Sequence, residues 1–321
     1  MDHDAARVFW VRFFKFEKST TRAHKTMPDA PPVRENFSPN RNLVATNNQT
    51  TKNRHGRIPG MKIQALTLIV ALFELSALAS AQSSHAPRDQ AVAAIIDDLV
   101  TANHILVTEG ILDGYGHVSV RDPANPNHYF LSRSLAPGLV TAADIVEYDL
   151  DSNPVDDNRP GYRERFIHGE IYRARPDVMA VVHDHSPSVI PFSVSSVPLR
   201  AVAHLGAFIA EGVPVFEIRD VDGMTDMLVS SPKRGRALAT VLGNHPAALM
   251  RGHGAAVVGE SLKVAVGRAV YLDIDAKVQE QAMLLGGSVK FFEPEESKKT
   301  VASHDGYERA WDVWKRKAAA K

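Results

Sequence analysis

The chain has 321 residues, 44% of them hydrophobic, with 37 basic and 37 acidic residues and no cysteine. That length and apolar content sustain a sizeable core, and the balanced charge excludes a broad electrostatic attraction to nucleic acid or to an anionic membrane. Without cysteine there is no disulfide, no thiolate nucleophile and no thiolate-held zinc, so any metal must be held by histidines and carboxylates.

Residues 1–60 carry 11 basic against 5 acidic residues, clustered Pro and Asn, and no sustained period, and read as a disordered or untranslated extension. Residues 61–81 follow as Met61 and Lys62, an apolar stretch from Ile63 to Phe73, and the small-x-small set Ala79-Ser80-Ala81. That is the order of parts in a secretory signal. A membrane anchor would need roughly 20 unbroken apolar residues, and Glu74 interrupts this run. A processed signal implies a periplasmic or secreted protein; an unprocessed one implies a cytoplasmic protein.

The globular part is expected over 87–294, with a polar, helical tail at 295–321. "RDQAVAAIIDDLVTANHILVTEG" places Val92, Ile95, Ile96, Leu99 and Leu106 on one helical stripe that stops at Gly110. "HVSVRD" and "HYFLS", separated by "PANPN", predict a β-hairpin. "RERFIHGEIYRARPD" returns to helical spacing and stops before Pro176, after which "VMAVVHDHS" is a short buried strand. "VPVFEIRD", "AALMRGH" and "AAVVGE" supply further strands. Ser231-Pro232 opens a helix closed by Gly243, and Ser261 opens a long one closed by Gly286-Gly287. No Gly-x-Gly-x-x-Gly follows a strand, which disfavours a dinucleotide fold. The expected class is α/β with a mixed, largely antiparallel central sheet.

In a strand, residues i and i+2 face one side, so His183 and His185 can address a single ion while Asp184 faces away. His253, between Gly252 and Gly254 at the junction of two strands, is the third candidate ligand, and the absent side chains beside it permit close approach. Three protein ligands with an open position is the catalytic arrangement. An acid or base is still required, and periodicity leaves Glu164 and Glu170, both read on the preceding helix, as equals. His168 reads as a helix-packing or hydrogen-bonding histidine, and the Ser193–Ser196 run as a turn.

The run "ERFIHGEIYRARPDVMAVVHDHSP", followed far downstream by "RGHG", resembles the class II aldolase/adducin family over roughly residues 90–290. The resemblance implies a three-layer α/β/α fold, Glu164 as the catalytic carboxylate, and His183, His185 and His253 as ligands of a divalent ion. Zinc is the expected ion, with Mn, Co, Fe and Mg as alternatives. It also implies a homotetramer with sites near subunit interfaces. Where sugar-phosphate members carry a phosphate cradle, this chain reads "GHVS" (116–119), "LSRSLAPG" (131–138) and Tyr162-Arg163. Arg133 and Arg163 suit bidentate capture of a carboxylate, and Ser132, Ser134 and His117 complete the expected substrate-binding set. The segments resemble decarboxylases of ring-cleavage products and of dihydroxylated aromatic acids. The expected function is a divalent-metal-dependent carbon–carbon lyase that decarboxylates a small hydroxy or oxo carboxylic acid through a metal-stabilised enolate. The alternatives are an aldolase acting on a hydroxy-ketone, and a non-catalytic adducin-like binding module.

Overall fold

The amphipathic run that opens the globular part forms helix α1 (Gln90–Thr108) in a computed structural model that describes residues 90–304 and 306–320. The expectations for 1–60 and 61–81 lie outside those described residues. Among them α1 is the one helix long and apolar enough to cross a membrane. Its apolar stripe is already spent on the core, because Leu99, Ala102, Ile105 and Leu106 are all fully buried. Gly110 ends the segment with φ +76°, a left-handed turn that glycine adopts without steric cost.

Seven strands follow: β1 (His117–Arg121), β2 (His128–Ser132), β3 (Ile145–Asp149), β4 (Ala180–Asp184), β5 (Val215–Phe216), β6 (Ala247–Met250) and β7 (Gly254–Gly259). They form one sheet in the order β3-β2-β1-β4-β7-β6-β5. Only β5 and β6 run parallel, so the sheet is mixed and largely antiparallel as expected. Two local expectations are corrected. Strand β3 has no counterpart in the sequence reading. "VPVFEIRD" yields only a two-residue strand, because the Glu217 carboxylate accepts the Arg219 N–H at 3.0 Å and starts the short helix α4 (Arg219–Asp222).

Strand alternation divides the core in two. Val118, Val120, Ala180, Val182, Ala255 and Val257 pack into one cluster with α1 and with α6 (Leu262–Leu284). Leu131, Val146, Val181, Ala256 and Val258 pack into the other, with α2 (Phe166–Ala174) and α5 (Pro232–Leu242). The result is helices on both faces of a sheet, the three-layer α/β/α arrangement. Ser231 and Ser261 accept the N–H groups of Arg234 and Val264 at the starts of α5 and α6, which satisfies one otherwise unpaired donor of each helix. α3 (Ile190–Val194) contains Ser193, the first residue of the run read as a turn. The chain closes with α7 (Pro294–Ala302) and α8 (Glu308–Ala319), whose Trp311 and Trp314 enter the α1–α6 cluster.

One buried carboxylate on α6 makes the fold pH-sensitive. Asp275 Oδ1 accepts the N–H groups of Val202 and Ala203 at 3.1 and 2.8 Å, and its Oδ2 is buried without a hydrogen bond. It lies so close to Gly206 that a Cβ there would stand 2.1 Å from Oδ1. Burial raises its pKa to about 6, against the lowering effect of the two N–H groups. The folded state therefore holds this proton more tightly than the unfolded chain, and stability falls as pH climbs from about 4 to about 6. Replacing Asp275 by Asn removes that term, so the stability of Asp275→Asn relative to wild type is expected to rise across the window by about 1–3 kcal/mol, and its melting temperature with it. Thermal scans at pH 4, 5, 6 and 7 check it; a constant difference would show that Asp275 does not titrate there.

Candidate metal centre

His183 lies on β4 with its side chain on the α2–α5 face, and His185 stands just beyond the strand's end. His253 occupies the turn between β6 and β7, where its N–H donates to Met250 O at 3.0 Å and Gly252 has φ +63°. Ser193 Oγ accepts the Gly252 N–H at 2.9 Å and ties this turn to α3. Gly254 explains how the turn reaches β4: a Cβ there would lie 1.8 Å from the Asp184 carbonyl oxygen, so only glycine permits that approach. Glu164 is corrected in position: it precedes α2, in the turn at 163–165, rather than lying on the helix.

These four residues converge, with one candidate ligand atom from each within 4.8 Å of all the others. The Nε2 atoms of His183 and His185 are 3.2 Å apart, as are those of His185 and His253. Glu164 Oε2 lies 3.6 Å from His183 Nε2 and 3.5 Å from His253 Nε2. Each histidine spends its other nitrogen elsewhere. His183 Nδ1 faces Ala255 O at 3.0 Å, and His253 Nδ1 faces Met227 O at 3.2 Å. A carbonyl oxygen only accepts, so both Nδ1 atoms carry the proton and both Nε2 lone pairs point into the cluster. Facing lone pairs repel unless a cation lies between them. Tetrahedral ligands about 2.0–2.1 Å from a zinc ion are separated by about 3.4 Å, which matches the observed spacing. The donor set therefore fits a divalent ion held by the three imidazoles, with the Glu164 carboxylate beside it.

Burial alone would raise the pKa of Glu164, but the imidazoles of His183 and His253 beside it and the Val229 N–H hold it at about 2. That N–H donates to Glu164 Oε1 at 2.7 Å. Met227 and Val229 belong to one segment, 224–230, anchored by Asp226, which pairs with Arg163 at 2.9 Å and with Arg234 at 3.2 Å. Burial, with His183 nearby, lowers His253 to about 4, which keeps it in the neutral form a ligand requires.

The remaining candidates are placed as follows. His117 pairs with His183 across β1 and β4, their ring centroids 5.0 Å apart, and is 1% exposed. Ser132 is buried, with Oγ 3.0 Å from the Tyr162 hydroxyl. Ser134 is exposed, and its N–H donates to Pro160 O. Arg133 Nε donates to Asp144 at 2.7 Å, and Arg163, 67% exposed, is held by Asp226. Both guanidinium groups already have carboxylate partners. Glu170 is separated from the cluster by its place on α2, where it meets Arg236 at 3.0 Å. Asp184 falls on the opposite face and accepts the Ser186 N–H at 3.0 Å.

Sequence reasoning missed Asp113. Both its oxygens lie 3.2 Å from His185 Nδ1, and Oδ1 also accepts the Tyr115 and Gly116 N–H groups at 2.8 and 3.0 Å. Its one linear signal is the turn sequence Asp-Gly before a strand, which says nothing of a partner 72 residues away. A carboxylate behind a ligating imidazole orients the ring and raises its basicity. Asp113→Asn is expected to weaken the binding of an added divalent ion about 10–100-fold with little loss of fold, as read by competition of zinc with a chromogenic chelator. An unchanged affinity would reduce Asp113 to a turn residue.

The family model described as Class II Aldolase and Adducin N-terminal domain matches residues 97–279. The chain is 35% identical over 242 residues to Decarboxylase tropJ of Talaromyces stipitatus, an alignment covering 68% of this chain and 91% of that one. It is 31% identical over 210 residues to a 3,4-dihydroxyphthalate decarboxylase of Arthrobacter keyseri, covering 60% of this chain and 80% of that one. Among solved structures, the L-fuculose 1-phosphate aldolase of Glaciozyma antarctica matches with a TM-score of 0.57 at 24% identity, over 70% of this chain and 88% of that one. That last likeness concerns the fold.

Proposed function

The chain belongs to the class II aldolase and adducin family, and on that footing we propose that it is a metal-dependent carbon–carbon lyase that decarboxylates a small hydroxylated carboxylic acid. The observation that carries the reading is the convergence of three imidazole Nε2 lone pairs with a carboxylate in reach of the same point. His183, His185 and His253 would hold the ion, zinc first among the candidates. A divalent ion there supplies a Lewis acid that stabilises negative charge on substrate oxygens.

The proton work falls to Glu164. Held ionised by its neighbours, it takes the proton of a substrate hydroxyl and returns it to the carbon that bears the carboxylate, which leaves that oxygen as a ketone. The bond to the carboxylate carbon then breaks, CO2 leaves, and the bond's electron pair passes to the ketone oxygen as an enolate. That oxygen regains a proton from water, which leaves hydroxide. The Val229 N–H fixes one carboxylate oxygen so that the other faces the reacting atoms. His117 is the substrate-binding candidate that adjoins the cluster. For Arg133 or Arg163 to capture the substrate carboxylate, each would have to exchange Asp144 or Asp226 for it.

Two relatives bear decarboxylase names, which favours this chemistry over aldol cleavage. The intact four-residue cluster speaks against a non-catalytic binding module, which has no need of it. The test is substrate profiling of the zinc-loaded protein. CO2 released from dihydroxylated aromatic acids such as 3,4-dihydroxyphthalate supports the proposal, whereas cleavage confined to hydroxy-ketone phosphates overturns it. Export and a tetrameric assembly remain part of the proposal: a mature N-terminus at Gln82 and a mass of four chains in solution are the expected results.

A further inference from the structure

Behind His117 lies a chain of polar side chains that the reaction proposed above leaves unused. His117 Nδ1 is 2.7 Å from His168 Nε2, His168 Nδ1 is 2.6 Å from Ser119 Oγ, and Ser119 Oγ is 2.7 Å from the Tyr172 hydroxyl. All four residues are buried, none more than 1% exposed. The alternation of β1 puts His117 and Ser119 on one face, and α2 brings His168 and Tyr172, one turn apart, over them.

The direction of the protons along this chain is decided at its far end. A phenol is a good donor and a poor acceptor, and the Tyr172 hydroxyl has no other side-chain partner than Ser119 among the described residues. Were Ser119 to donate to it, the phenol proton would be buried unpaired, at a cost of about 1–3 kcal/mol. Tyr172 therefore donates to Ser119, Ser119 to His168 Nδ1, and His168 Nε2–H to His117 Nδ1. An imidazole that accepts at Nδ1 while neutral carries its proton on Nε2. His117 Nε2 has no protein partner among the described residues, and its ring stands beside those of His183 and Tyr162, at 5.0 and 4.5 Å between centroids.

We propose that Tyr172, Ser119 and His168 are positioning residues that lock His117 as the Nε2–H tautomer, so that the site offers a neutral hydrogen-bond donor to a substrate oxygen beside His183. This tautomer is the reverse of that of His183 and His253, which carry their protons on Nδ1 and aim lone pairs inward. One imidazole face of the site is thus built to donate and the others to ligate. The role in substrate binding rests on the lyase reading; the tautomer does not.

The experiment is 15N NMR of the zinc-loaded full chain labelled at histidine, with the His117 signals assigned by their loss in His117→Asn. The expected spectrum has His117 protonated at Nε2 and bare at Nδ1. In Tyr172→Phe the signal should spread over both tautomers, with zinc content unchanged and kcat for CO2 release down about tenfold. In a His117→Asn background, Tyr172→Phe should have no further effect on kcat, which a merely structural tyrosine would not satisfy. A wild-type His117 protonated at Nδ1, or doubly protonated, overturns the proposal, and that reading survives even if Tyr172→Phe does not fold. An undiminished effect of Tyr172→Phe in the His117→Asn background also overturns it. Absence of bound zinc and of any CO2 release, with His117 still protonated at Nε2, would instead sink the lyase reading and leave the wire standing.

Discussion

His183→Ala is expected to purify folded and without metal, with CO2 release reduced by more than about a thousandfold, because the ion and its Lewis-acid role leave together. The substitution removes the candidate ligand whose Nε2 stands 3.2 Å from His185 Nε2 and 3.6 Å from Glu164 Oε2. It also opens a small void against β7, since His183 is fully buried and its Nδ1 proton is held by Ala255 O. Some stability is lost for that reason, so circular dichroism and elemental analysis must be read on the same sample. The neighbouring change Asp184→Asn is the control. Its side chain faces the other layer, so its zinc content should equal that of wild type. A His183→Ala protein that kept stoichiometric metal would remove the basis for a metal-dependent reaction here.

Glu164→Gln separates metal binding from proton transfer. Glutamine keeps an oxygen that can accept the Val229 N–H, and the three imidazoles are untouched, so the metal content should hold. What is lost is a group that can take and return a proton, and kcat should fall about 10²–10⁴-fold with a much smaller change in KM. Measured beside His183→Ala, this gives a metal-loaded, inactive protein against a metal-free one. Turnover above about a tenth of wild type in Glu164→Gln would assign the proton work to another group.

How much of this was readable beforehand depended on whether a residue's role is local. His183 and His185 declare themselves because strand alternation is a two-residue rule, and His253 because its flanking glycines mark a close approach in the chain itself. The layer order follows from the same alternation, which sorts Val181 from Val182 without any knowledge of what packs on them. Glu164 and Glu170 could not be separated in this way, since both lie near one helix. The family resemblance chose Glu164, and the structure gives the reason Glu170 is elsewhere engaged, since α5 brings Arg236 to it. Arg133 and Arg163 illustrate the opposite failure. An arginine looks the same in a sequence whether free or paired, and their partners, Asp144 and Asp226, stand 11 and 63 residues away. Asp113 and the Val229 N–H were out of reach for the same reason. The backbone group has no identity in a sequence at all, and a hydrogen bond between distant segments leaves no periodic trace.

The segment 224–230 serves two masters: Met227 O holds the proton of His253, and the Val229 N–H holds Glu164. Exchanging that loop for one from a relative would therefore shift His253 and Glu164, two members of the candidate metal centre, in a single stroke. Mutational libraries confined to 224–230 should show few intermediate phenotypes, since a shift of the loop detaches both supports at once. The turn that holds His185 is less constrained: Tyr115 is 78% exposed, so its side chain can vary while its N–H still binds Asp113 and Asp113 keeps its hold on His185.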